Sequence, residues 1–136
     1  RACVREDFER WPHDEAREVP WMIGACLAVR RKVIEEVGGF DERFFMYAEE
    51  TDWQRRIRAA GWRVVFDPGA VVTHVGGASG KAQPAKISGA FFNSLDLYTR
   101  LHHGRLGLVS MRVAMCVGCS LRLALWSVAR LAAELR

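Results

Sequence analysis

Residues 38–77 read GGFDERFFMYAEETDWQRRIRAAGWRVVFDPGAVVTHVGG, and the fold is decided in this stretch. Over residues 49–60, EETDWQRRIRAA places acids in the first turn and bases in the last, with Gly61 just beyond. That charge order complements a helix dipole, so the segment is expected to be helical. Residues 62–66 (WRVVF) and 70–75 (AVVTHV) alternate or run apolar as short strands, and Asp67-Pro68-Gly69 between them has the composition of a tight turn. Ahead of the helix, residues 40–47 (FDERFFMY) are too aromatic for an idle solvent loop and are expected to pack.

Upstream, residues 21–29 (WMIGACLAV) form an almost continuous apolar run between Pro20 and Arg30-Arg31-Lys32, which fits a strand covered on both faces. A short helix is expected over residues 32–37, ended by Gly38-Gly39. Residues 1–19 are polar without a clear period and read as loop or short helix over the body. The opening resembles mid-protein surface sequence, so the chain is expected to be part of a longer protein. Downstream, residues 76–84 (GGASGKAQP) read as a mobile loop, residues 85–103 as a helix, and Gly104 punctuates the chain before an apolar tail.

At 136 residues, half of them hydrophobic, the chain can bury one core. Twenty basic residues stand against sixteen acidic ones, but the bases are spread among acids and the aromatics are not interleaved with a basic groove, which argues against nucleic acid as a partner. Cys3 and Cys26 stand alone. Cys116 and Cys119 form a C-x-x-C in an apolar run, without the further ligands of a zinc site or the strand-to-helix setting of a redox motif, and read as inert thiols.

Two constellations carry chemistry. On a helical wheel, Trp53 and Ile57 lie within about 60° of Glu50, whereas Asp52 lies roughly opposite. Glu50 therefore points with the apolar face, and a carboxylate leaning toward a cleft is suited to accepting a proton. Asp52, with Arg56 four residues on, reads as a paired surface charge. The plainer account is that Glu49, Glu50 and Asp52 complement the helix N-terminus. His74 sits at a strand end beside glycines, where ligand-binding residues occur, though a lone histidine is more often structural. Lys81 in the glycine loop is placed to meet a phosphate or simply to be solvated.

Taken in order, five features resemble the C-terminal half of the catalytic domain of family 2 glycosyltransferases, of the bacterial rhamnosyltransferase-like and galactofuranosyltransferase-like kind. They are the small-residue strand VPWMIGACLAVRR, the turn GGFDERFF, the acidic helix start at residues 47–56, the strand AGWRV and the end THVGG. The resemblance covers residues 19–77 and implies an α/β architecture: a partial GT-A fold with a short mixed sheet, flanking helices and a C-terminal apolar helical tail.

The resemblance also implies roles. The family's usual Glu-Asp stands here as Glu49-Glu50, and its second acid, the base that deprotonates the acceptor hydroxyl, corresponds to Glu50. Glu is one methylene longer than Asp, a departure that shifts the carboxylate or the acceptor. Asp52 matches the following acidic position, which holds an acceptor hydroxyl or the loop. His74 matches a ligand of the Mg²⁺ or Mn²⁺ that bridges the donor diphosphate. Trp21, Gly24 and Ala25 match the lining of the sugar and acceptor cleft; composition alone, not the resemblance, suggests that the glycine loop with Gly76, Gly77 and Lys81 closes over the donor. The family's Asp-x-Asp does not occur in these residues, so the chain alone is expected to be inactive.

Residues 1–104 are thus expected to be the acceptor-side half of a transferase domain and residues 105–136 an amphipathic tail. Arg105, Arg112 and Arg130 fall within about 20° on the wheel, with Arg122 about 80° to one side, against a wide face of Leu, Val, Met, Ala and Trp126. Arg112, Arg122 and Arg130 interrupt the roughly twenty apolar residues a bilayer crossing needs. Such a helix fits a peripheral contact at the inner, cytoplasmic face of the membrane, near a sugar or lipid-linked acceptor. It equally fits one helix, or two broken at Gly118, packed on the body or on another subunit. A nucleotide-sugar donor is the implied second substrate. The rival reading is a non-catalytic tethering or self-association module derived from such an enzyme.

Overall fold

The computed structural model describes residues 11–74 and 84–134. In chain order the elements are strand β1 (Arg17–Glu18), helix α1 (Arg31–Val37), helix α2 (Glu49–Ala59), strand β2 (Val65–Phe66) and helix α3 (Pro84–Glu134). The helices fall where local sequence put them. Gly38, at φ 81°, takes the left-handed position after α1 and returns its N–H to the Ile34 carbonyl at 2.9 Å. α2 carries its acids in the first turn and Arg56 and Arg58 in the last.

The sheet differs from expectation. β1 and β2 pair antiparallel, with Arg17 opposite Phe66 and Glu18 opposite Val65, and the pairing continues through Val19 N–H to the Val64 carbonyl at 2.9 Å. No mixed sheet forms among the described residues, and β1 lies in the opening stretch read as loop or short helix. Residues 21–29, expected to be a buried strand, are irregular, and residues 70–74 are irregular too. A strand exists only where a neighbour takes its alternate N–H and C=O groups. Here the Met22 N–H donates to Gln54 Oε1 and the Met22 carbonyl accepts from Gln54 Nε2, both at 2.8 Å. A carboxamide side chain replaces one rung of ladder, and no strand propagates from it.

The core is small: Val19, Val33, Trp53, Ile57 and Val64, flanked by Met22, Leu27, Val29, Val37, Trp62 and Phe66. The aromatic connection packs in part. Phe44 is buried and Phe40 meets the Trp53 ring edge-on at 4.8 Å, while Phe45 stays exposed. Its turn is fixed by Asp41, which accepts from the Arg43 backbone N–H at 3.0 Å and from the Arg43 guanidinium; those hydrogen bonds hold the Asp41 carboxyl down at about 2.

Helix α3 is broken at Gly104 (φ 68°, ψ −168°) and runs unbroken through Gly118. Sixteen residues of straight helix advance about 24 Å. Asp96 nevertheless pairs with Arg112, and the Thr99 hydroxyl meets Met111 Sδ at 3.1 Å, so the two arms fold toward each other about the break. Glycine is needed at two positions of this corner: Gly104 for its positive φ, and Gly107 because a β-carbon there would collide with the His103 side chain. The outer arm is exposed along its length, with Leu106, Leu121, Leu125 and Trp126 all in the open. Among the described residues, and by length and composition alone, the stretch Ile87–Leu131 contains an apolar helical run long enough to cross a membrane, where Arg112, Arg122 and Arg130 were expected to interrupt one.

Candidate active site

α2 is entered through Tyr47 (φ 69°) and Ala48 (φ 63°), two successive left-handed residues that are not glycine. Each costs of the order of 1 kcal/mol, and no side chain caps the helix that follows. The turn delivers Glu49 and Glu50 side by side. Both carboxylates are half-buried, and each has one oxygen, Oε2, shielded from solvent and without a hydrogen-bond partner. A desolvated carboxylate oxygen without a donor is costly unless a ligand proton is meant to meet it.

Gly24 faces Glu50. A β-carbon at position 24 would lie 3.3 Å from Glu50 Cγ and 3.4 Å from Glu50 Cβ, so the absent side chain is the space the glutamate occupies. The segment carrying Gly24 is tied down by Gln54, which is 2 % exposed, clamps Met22 on both sides and donates a third bond to the Glu50 carbonyl at 3.0 Å. Sequence reading passed over Gln54. The signal was available, since position 54 lies about 40° from Glu50 on the wheel.

Asp52 corrects the surface reading. It pairs with Arg56 as expected, Nε to Oδ2 at 2.8 Å, but it is 2 % exposed. Its other oxygen meets His102 Nε2 at 2.8 Å, because α3 lies along the side of α2 that carries Asp52 and Arg55. The Arg56 guanidinium also donates to the carbonyls of Val37 and Gly39, so the cation is shared among three acceptors. With both carboxylate oxygens engaged and almost no exposure, Asp52 braces the helix.

The remaining nominated residues divide. Trp21 and Ala25 are exposed on the wall of an open, mainly apolar cleft of about 940 Å³, together with Leu27, Trp53, Val64 and Val72. Glu50 and Gly24 are not among its walls; the cleft is the uncovered face of the core rather than the space in front of the carboxylates. His74 is exposed, and no hydrogen bond, ion pair or ring contact joins it to Glu49 or Glu50. Among the described residues no group of three or more His, Cys, Asp or Glu is placed to hold a metal ion, so His74 does not by itself make a metal site. Gly76, Gly77 and Lys81 lie outside the described residues, as does Cys3. Cys26, Cys116 and Cys119 are free thiols at the surface.

A family model described as "Glycosyltransferase like family 2" matches residues 3–93. The chain is 41 % identical over 87 residues to the N-acetylglucosaminyl-diphospho-decaprenol L-rhamnosyltransferase of Mycobacterium tuberculosis, in both strains compared; the match covers 64 % of this chain and 28 % of that protein. It is 40 % identical over 61 residues to the O-antigen biosynthesis protein RfbC of Myxococcus xanthus, covering 45 % of this chain and 5 % of that protein. The chain thus spans less than a third of the length of either relative. No solved structure gives a significant match.

Proposed function

Because the chain belongs to glycosyltransferase-like family 2, we propose that residues 1–104 are the acceptor-side half of a catalytic domain that moves a sugar from a nucleotide-sugar donor to a hydroxyl, with inversion. The observation that carries this reading is the pair of partnerless carboxylate oxygens at the mouth of α2, set against a glycine. Glu50 Oε2 accepts the acceptor's hydroxyl proton as that oxygen attacks the anomeric carbon, and the nucleoside diphosphate leaves from the opposite face. The reacting oxygen changes from a poor nucleophile to an alkoxide-like one only as the bond forms, so a base held in place acts at the transition state. Glu49, whose Oε2 is equally free of a donor, is placed to orient a neighbouring hydroxyl. The extra methylene of Glu50, relative to the family's aspartate, lies in the space left by Gly24.

Mg²⁺ or Mn²⁺ belongs to this proposal through His74 alone. When bound, such a cation would neutralise charge on the departing diphosphate. The described residues do not assemble its site, and the steps above do not run through it.

The mycobacterial relative's name supplies the narrower reading: L-rhamnose as the sugar and a polyprenyl diphosphate-linked N-acetylglucosamine as the acceptor; a place in cell-envelope synthesis is part of the same proposal. The test is to incubate the full-length protein with nucleotide-activated L-rhamnose and N-acetylglucosaminyl-diphospho-polyprenol. The expected product is a disaccharide lipid whose new linkage, read by NMR, has the anomeric configuration opposite to the donor's. A product with retained configuration would remove Glu50 from its role.

A lipid-linked acceptor calls for a protein at the membrane surface, and we assign that contact to the outer arm of α3 at the cytoplasmic face. Arg130 lies over the Trp126 ring at 5.4 Å and Arg122 precedes that tryptophan by one turn, on an arm whose leucines and valines are open to solvent. Near an anionic surface each arginine contributes about 1 kcal/mol. Replacing both by glutamate is expected to weaken flotation with phosphatidylglycerol vesicles by at least about tenfold. Unchanged flotation would take the arginines out of the contact and leave it to the exposed apolar side chains of the arm.

A further inference from the structure

The turn that presents Glu49 and Glu50 is strained and has no side-chain cap; α2 contributes the Asp52 N–H to the Ala48 carbonyl at 2.8 Å, and the contacts to the residues entering the turn come from α3. The Ser94 hydroxyl donates to the Met46 carbonyl at 2.6 Å, one residue before the left-handed pair. Phe91 meets the Tyr47 ring edge-on at 5.6 Å. His102 Nε2 bonds Asp52 Oδ1 at 2.8 Å in the first turn of α2, and the Tyr98 ring lies against the His102 imidazole at 4.6 Å. Arg55 reaches the Tyr98 hydroxyl at 3.4 Å. Residues 91, 94, 98 and 102 are spaced three, four and four apart, which makes them one stripe of the inner arm. Ser94 is itself buried and Asp52 almost wholly so, meaning these bonds are shielded from water rather than exchanged with it.

From this we infer that Ser94 and His102 are positioning residues for the carboxylate pair. Neither touches Glu49 or Glu50. Ser94 pins the backbone entering the turn and His102 pins Asp52 two residues beyond Glu50, so the strained Tyr47–Ala48 linkage is held at both ends. α2 provides no side-chain cap of its own, and of its later side chains Trp53 and Ile57 lie in the core, Gln54 holds Met22 and Arg56 holds Asp52 and the end of α1. The inference rests on the assignment of Glu50 as the base, and it adds a dependence of that base on the arm that precedes the Gly104 corner.

The experiment uses the full-length protein with nucleotide-activated L-rhamnose and N-acetylglucosaminyl-diphospho-polyprenol, alongside amide exchange. His102→Ala and Ser94→Ala are each expected to lower kcat about tenfold to a hundredfold, the effect of letting a reacting group drift by about 1 Å. KM for the sugar nucleotide should stay unchanged, and exchange should quicken over residues 46–52 but not over residues 53–59. His102→Gln, whose amide nitrogen stands as many bonds from the backbone as the imidazole Nε2, should restore most of kcat. Exchange that quickens along the whole chain in His102→Ala marks a folding defect, and Ser94→Ala then carries the same expectation. An inactive Glu50→Gln beside wild-type kcat in both alanine variants overturns the positioning role. An active Glu50→Gln instead strikes down the base assignment, so the two failures are separable in one set of assays.

Discussion

Glu50→Gln is expected to lower sugar transfer by about 10²–10⁴-fold, the usual worth of a positioned general base, while donor affinity stays at the wild-type level. The change keeps every heavy-atom position: a glutamine fills the same space against Gly24 and adds one donor where Oε2 had none. What it removes is the ability to accept a proton. Loss of rate without loss of fold or donor binding is therefore the signature of the base itself, measured by steady-state transfer together with calorimetric titration of the sugar nucleotide. Glu50→Asp is the informative companion. It restores the residue usual in the family but withdraws the carboxylate by one methylene from a glycine pocket sized for the longer chain, so it should fall between the two. Turnover of Glu50→Gln close to wild type would leave the carboxylates of α2 as helix-dipole partners and nothing more.

Much of this site could be read in the chain because it is local. The α2 boundaries follow from acids, bases and Gly61 in order, and the direction of Glu50 follows from its spacing to Trp53 and Ile57, both buried in the structure. The fold family was legible for a related reason: short motifs in a fixed order survive in one dimension. What failed was whatever depends on a distant partner. Residues 21–29 have the composition of a covered strand, but composition does not provide a neighbour, and among the described residues the backbone of Met22 is met by Gln54 instead. Asp52 was placed on the surface because the wheel knows only its own helix. Its burial comes from His102, fifty residues away. Gly104 was legible as a stop, yet the fold-back of the outer arm was not, since nothing in the spacing of Asp96 and Arg112 announces that they meet.

Trp53→Ala is expected to be the most damaging substitution for stability, at about 3–5 kcal/mol, the range seen when a buried tryptophan is truncated. Trp53 is 7 % exposed, lies among Val19, Val33, Ile57 and Val64, and donates its indole N–H to the Gly38 carbonyl at 2.7 Å. Truncation would open a cavity in a small core cluster and orphan the Gly38 carbonyl that follows α1. The same face of α2 carries Gln54, so loosening here should also release the segment that bears Gly24. Trp53→Phe separates the two contributions: it keeps much of the ring packing against Phe40 but loses the hydrogen bond, and should cost about 1–2 kcal/mol. Trp62→Ala provides the contrast, because its indole N–H reaches Glu36 at 3.1 Å on the exposed rim and its ring only flanks the core. Urea unfolding of the three variants should therefore rank Trp53→Ala well below Trp62→Ala. A Trp53→Ala midpoint equal to that of Trp62→Ala would mean that the buried cluster under α2 is not the main source of the fold's stability.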